Sequence, residues 1–190
     1  MSKSPRFISA LSKRARHRYR DRAHQLFQDM VDEDNLDALR SAHRLSLIWH
    51  RWVRWARGED HPTTLNAAYG LALLLSASGE YERARALGED TVARHRRVLG
   101  EDHSDTLASA HNLALVLSRL GEHERARALG EDTLTRYRRV LGEDHPRTLN
   151  SAHNLAVVLR RLGEHQRAQA LDEDIVARRR RVLGKDHPTP

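Results

Sequence analysis

Apolar positions along this chain recur at the spacing of helix turns and never at the two-residue alternation of a strand. Between residues 100 and 141 the first stripe is Leu107, Ala110, Leu113, Ala114 and Leu117, which share one side of a helix of 3.6 residues per turn. Gly121 interrupts it, as expected of a helix stop in the left-handed conformation that glycine adopts cheaply. A second stripe follows at Ala126, Leu129, Leu134, Val140 and Leu141, closed by Gly142. Pro62 and Pro146 fall where a helix would begin, in the first turn, where a missing N–H costs nothing. The pattern predicts helix pairs separated by glycine joints.

The pair is repeated. Residues 58–99 open GEDHPTTLNAAYGLALLL, residues 100–141 open GEDHSDTLASAHNLALVL, and residues 142–183 open GEDHPRTLNSAHNLAVVL; all three close on RRVL. The first and second copies agree at 29 of 42 positions and the second and third at 30 of 42, without a gap, which chance does not produce. Residues 184–190 restart the pattern as GKDHPTP. A single helix pair cannot bury its apolar stripe, so successive pairs must stack.

Within each copy an Ala-x-x-Leu-Ala-x-x-Leu segment is followed by Gly and then by Ala. The residues are Ala68, Leu71, Ala72, Leu75, Gly79 and Ala84 in the first copy, with Tyr81 beside the last of them. They are Ala110, Leu113, Ala114, Leu117, Gly121 and Ala126 in the second, and Ala152, Leu155, Ala156, Leu159, Gly163 and Ala168 in the third. This pattern resembles the tetratricopeptide repeat. The 42-residue period, the LGxDHPxTL joint and the HNLA core resemble its kinesin-light-chain subtype, of the kind found in actinobacterial proteins, over residues 58–190. The resemblance implies an all-α, right-handed superhelical solenoid of antiparallel helix pairs. It departs from the family at Gly88, Gly130 and Asp172, where a large side chain is usual, and either looser packing or filling from a neighbour is expected there.

The organisation expected is a basic amphipathic helix at 1–31, a worn helical unit or cap at 32–57, three repeats at 58–183, and the stub at 184–190. Phe7, Ile8, Leu11, Ala15, Tyr19, Ala23, Leu26, Phe27 and Met30 lie on one side of the first helix. Leu45, Ile48, Trp49, Trp52 and Trp55 form a bulky stripe that either plugs the start of the stack or offers an aromatic recognition patch.

Charge is unevenly placed. Residues 1–22 carry eight basic groups against Asp21, which accounts for the whole formal net charge of +7. Lys13, Arg14, Arg16, Arg18, Arg20 and Arg22 make this arm a candidate for anion binding, to nucleic acid or to an anionic membrane surface. Docking of the arm on the solenoid is the third use open to it. The absence of cysteine excludes disulfides, cysteine–zinc sites and thiol nucleophiles, and fits a cytoplasmic protein. The strong preference for arginine over lysine hints at a GC-rich bacterial genome. No run of apolar residues is long enough to span a membrane.

The sequence holds no phosphate-binding glycine loop, no HExxH helix and no Gly-x-Ser-x-Gly elbow, so no enzyme and no cofactor is expected. His61, His103, His145 and His187 recur once per period, too far apart to share one ion, and are expected to cap helices at the joints rather than bind metal. The family resemblance puts the first helix of each unit on the concave face. There the outward positions map to Asn66, Tyr69 and Gly70, to His111, Asn112, Ser118 and Arg119, and to Asn150, His153, Asn154, Arg160 and Arg161. Asparagine can hold an extended backbone and arginine a carboxylate. The expectation is a non-catalytic scaffold holding an extended, acidic peptide of a partner protein. The other reading is a nucleic-acid-associated regulator that uses the arm. At the last second helix, about 164–183, Gln169, Asp172 and Arg179 make the surface more polar while Ile175, Val176, Val182 and Leu183 stay apolar. Pairing in a homodimer or fraying is expected of it.

Overall fold

The computed structural model describes residues 58–183, together with His50, Val53 and Arg54. The expectations for the segments at 1–31, 32–57 and 184–190 therefore lie outside the described residues, including those for the arm residues Lys13, Arg14, Arg16, Arg18, Arg20 and Arg22 and for His187. Among the described residues the fold is all-α. Its helices are α1 (Pro62–Ala77), α2 (Tyr81–Leu99), α3 (Ser104–Arg119), α4 (His123–Leu141), α5 (Pro146–Arg161) and α6 (His165–Leu183). Each helix packs on the next, and α3 also touches α1 and α5. The first helices of the units thus approach one another more closely than the second helices do, which puts them on the inside of the curve. This is a helical repeat solenoid.

The joint between units explains the recurring GEDHxxT. Gly58, Gly100 and Gly142 turn the chain at φ of +87°, +90° and +88°, a region open to glycine and strained for other residues. The histidine after each joint caps the next helix. Nδ1 of His61, His103 and His145 accepts the backbone N–H two residues on, at 3.2, 3.2 and 3.1 Å. The buried hydroxyls of Thr64, Thr106 and Thr148 donate back to the carbonyls of Gly58, Gly100 and Gly142, each at 2.8 Å. The acidic pair of the joint is held by arginines of the same unit. Arg136 on α4 reaches Asp132 at 2.9 Å, Asp102 at 3.0 Å, and Glu101, and Arg94 and Arg178 repeat the arrangement on α2 and α6.

The core runs as overlapping clusters rather than as separate units. Val116 of α3 enters the cluster of Leu71, Leu75 and Ala84, and Val158 of α5 enters that of Val92, Ala110, Leu113, Leu117 and Ala126. One valine per unit therefore stitches it to the unit before. Of the two outcomes expected at the glycines, filling from a neighbour is the one the structure shows. A methyl group at Gly88 would sit 3.2 Å from Cδ1 of Leu113, and one at Gly130 would sit 3.4 Å from Cδ1 of Leu155. The space a large side chain would fill is taken by a leucine of the following first helix, so the junction is close-packed. Arg125 to Glu89 at 2.8 Å, Arg167 to Glu131 at 2.7 Å and Arg127 to Glu164 at 2.7 Å add surface pairs across the same junctions.

Candidate functional site, the inner face of the first helices

The predicted groove residues separate into three groups. Asn66, Asn150 and Arg119 are exposed, and among the described residues their side chains have no hydrogen-bond or ion-pair partner. They are the polar groups that the inner face leaves available. Tyr69 is half-buried, and burial pushes its phenol above the usual tyrosine range.

A second group is engaged in joining units. The Asn154 amide donates to Nε2 of His111 at 3.1 Å, from α5 to α3. The His111 ring also stands edge-on to Tyr137, with centroids 6.5 Å apart and planes at 68°. Burial lowers the His111 pKa, which keeps Nε2 free to accept. Burial likewise pushes Tyr137 up to about 12. Arg161 donates to the Ser118 carbonyl at 2.7 Å and to its hydroxyl at 3.3 Å, closing the carboxyl end of α3. Arg160 pairs with Asp172 of α6, whose other oxygen lies 4.0 Å from His153. Of the three arginines expected in the groove, Arg119 alone has no partner among the described residues.

The third group is a correction. The sequence register turns Asn112 and Ser118 outward, yet they are only 6% and 5% exposed. The middle helix α3 packs on α2 and α4 and touches α1 and α5, so its open arc is narrower than that of an end helix. The asparagine register seen in sequence crosses that buried boundary.

Sequence reading also missed an apolar row. Leu73 is 40% exposed, and Leu115 and Val157 are half-buried at the same position of the next two units. The signal was present in the run Leu71-Ala72-Leu73-Leu74-Leu75, because a helix cannot bury five consecutive side chains on one stripe. A larger concavity of about 450 Å³ lies elsewhere, between α4 and α6 over Leu155 and Leu159 of α5. It is the outer seam of a unit junction, bridged by the Arg167–Glu131 pair. Among the described residues no group of three or more His, Asp or Glu side chains is arranged to hold a metal ion, and no helix is long and apolar enough to cross a membrane.

This architecture, a stack of helix pairs with a laterally continuous core and an inner face of mixed asparagine, aliphatic and arginine character, defines a class. The tetratricopeptide repeat family model matches residues 63–139 and again 105–181, and the chain belongs to that family. Its repeats are of the kinesin-light-chain-like kind. A kinesin-light-chain-like protein of Podosopora anserina with nearly identical TPR-like repeats, in a singly substituted form, superposes with a TM-score of 0.72 at 26% identity, over 85% of this chain and 76% of that one. The form without that substitution gives 0.71 at 24% identity, over 92% and 81%. BtubC (BKLC) of P. vanneervenii gives 0.69 at 18% identity, over 80% and 60%, a likeness of fold alone. No curated protein matches the sequence.

Proposed function

We propose that this chain is a non-catalytic scaffold that binds an extended, acidic segment of a partner protein along the first helices α1, α3 and α5. The observation that supports this reading is the set of groups on the inner face without a polar partner among the described residues, Asn66, Asn150 and the Arg119 guanidinium, together with the Leu73–Leu115–Val157 row. Asparagine amides offer a donor and an acceptor to an extended backbone. The aliphatic row offers a dry strip to its side chains. Arg119 offers a fork to a carboxylate. Tetratricopeptide repeats generally mediate protein–protein interaction, and this division of labour is what such a role needs.

A displayed library of random peptides provides the test. Selection on the full chain should enrich sequences with an acidic residue near an aliphatic or aromatic one. Arg119→Glu should weaken the selected peptides by roughly tenfold or more, the scale of a charge-assisted hydrogen bond replaced by repulsion. Asn66→Ala with Asn150→Ala should weaken them further without loss of helicity. Enrichment of basic peptides, or affinities unchanged in both variants, would refute the groove.

A further inference from the structure

The outer face of α6 is the same surface that α2 and α4 bury, built from different residues. Val92 and Leu134 are 4% and 3% exposed because the next first helix covers them; Val176, at the corresponding position, is 40% exposed. Gly88 and Gly130 admit a leucine of the following unit, whereas Asp172 stands at that place in α6. His95 and Tyr137 are buried beneath the following unit, whereas Arg179 takes their position. A unit docking as the second and third do would have to set a leucine on a carboxylate and bury a guanidinium. That surface is not shaped for another repeat of this kind.

Its charges nevertheless follow an order. Along the face run Asp172 and Glu173, then Val176, then Arg179 and Arg180. The acids precede the apolar residue by three and four positions and the arginines follow it by three and four. Among the described residues neither Arg179 nor Arg180 has an ion-pair partner, in contrast to Arg178 and Arg181, which hold Asp174 and Asp144. Glu173 accepts only the amide of Gln169, at 2.8 Å, within its own helix. Rotation by half a turn about an axis through Val176 lays a second α6 antiparallel on the first. Residues then face one another in self-complementary fashion, as a twofold interface requires. Val176 meets Val176 of the second copy. On the side toward the first helices Asp172 meets Arg179, and on the opposite side Glu173 meets Arg180.

We infer that a second copy of this chain docks antiparallel on the outer face of α6, with Val176 at the dyad and two carboxylate–guanidinium contacts on each side of the seam. This surface is independent of the inner groove, and two copies joined here would carry two grooves. One helix against one helix covers less than the ~1,200 Å² typical of stable complexes, so the association is concentration-dependent. Its exposed ion pairs make it weaker at high salt, where the screening length falls to ~3 Å at 1 M.

Sedimentation of the full chain from micromolar to millimolar concentration should show a monomer–dimer equilibrium that shifts toward monomer as salt is raised. An acidic-faced variant, Arg179→Glu with Arg180→Glu, and a basic-faced variant, Asp172→Lys with Glu173→Lys, should each lose self-association by roughly tenfold or more. An equimolar mixture of the two should restore it, a rescue that damage to the fold would not produce. The chain has no cysteine, so a single one reports cleanly. Val176→Cys should cross-link under copper–phenanthroline oxidation far faster than Val140→Cys, which is at least as exposed at 44%. A strict monomer at millimolar concentration, a dimer indifferent to both charge reversals, or equal cross-linking at the two cysteines would overturn the proposal.

Discussion

The two inner junctions and the outer face of α6 present the same repeat positions to different surroundings. At the junctions Gly88 and Gly130 yield their side-chain space to Leu113 and Leu155, and Val92 and Leu134 lie under the next unit. On α6 the glycine becomes Asp172, tied to Arg160, and the valine is left open. The junctions therefore rest on a handful of positions per unit, and α6 carries a charged residue at two of them, Asp172 and Arg179. The arginine-held joint is common to all three units.

The largest break in this comparison comes from moving the terminal residue inward. Gly130→Asp forces a carboxylate against Leu155 in the close-packed junction, and unfolding by urea should show a loss of roughly 3 kcal/mol or more, the scale of a buried charge. Asp172→Gly should change stability by about 1 kcal/mol at most, since it removes an exposed pair and the helix preference of a non-glycine residue. Next in size is Leu113→Ala, which opens a cavity in the core shared by two units and should cost ~2–5 kcal/mol, against about 0.5 kcal/mol or less for Val176→Ala.

Histidine sharpens the contrast through pH. His95 is fully buried; its Nδ1 meets the Ser109 hydroxyl at 2.8 Å while that hydroxyl donates to the Asp105 carbonyl at 2.9 Å. Ser109 is thus the acceptor, His95 carries its proton on Nδ1, and Nε2 is buried without a partner among the described residues. Burial, partly opposed by Asp105, lowers the His95 pKa from 6.5, and burial lowers that of His111 from the same value. In the unfolded chain both rings take a proton as pH falls through 6.5; in the folded chain they resist it. Stability should be greatest above that pH, decline as pH drops below it, and level off once pH lies under the depressed folded values. Chemical denaturation across that range measures the decline, and His95→Phe should reduce its slope. Arg179, at the corresponding place on α6, contributes nothing to it. The joint contributes less than the core: His103→Ala should cost ~0.5–2 kcal/mol through the lost cap, and Thr106→Val about 0.5–1.5 kcal/mol.

The units, their paired helices, the glycine stops and the histidine caps were legible in sequence because they depend on local geometry repeated three times. The exposure of the candidate site residues was legible in part. Asn66, Asn150 and Arg119 face outward as the register predicts, but Asn112 is buried and Arg160 and Arg161 are bound within the protein. Such outcomes depend on how far a neighbouring helix reaches across a helix face, which periodicity within one helix does not encode. Which of two outcomes holds at the tight glycines was not legible for the same reason, because the group that fills their space comes from Leu113 or Leu155, 25 residues further on in each case. Leu73, conversely, was hidden in a run of apolar residues, where composition points to the core and only the helix angle turns one side chain outward.

Hydrogen exchange compared between α4 and α6 at low and high protein concentration tests the central claim most directly. The two helices are both 19 residues long and occupy the same place in successive units. With α4 covered by the following unit and α6 by a second copy, α4 should be protected equally at both concentrations, whereas α6 should exchange faster at low concentration and gain protection as Val176 is covered. Equal protection of α4 and α6, unchanged by concentration, would contradict it.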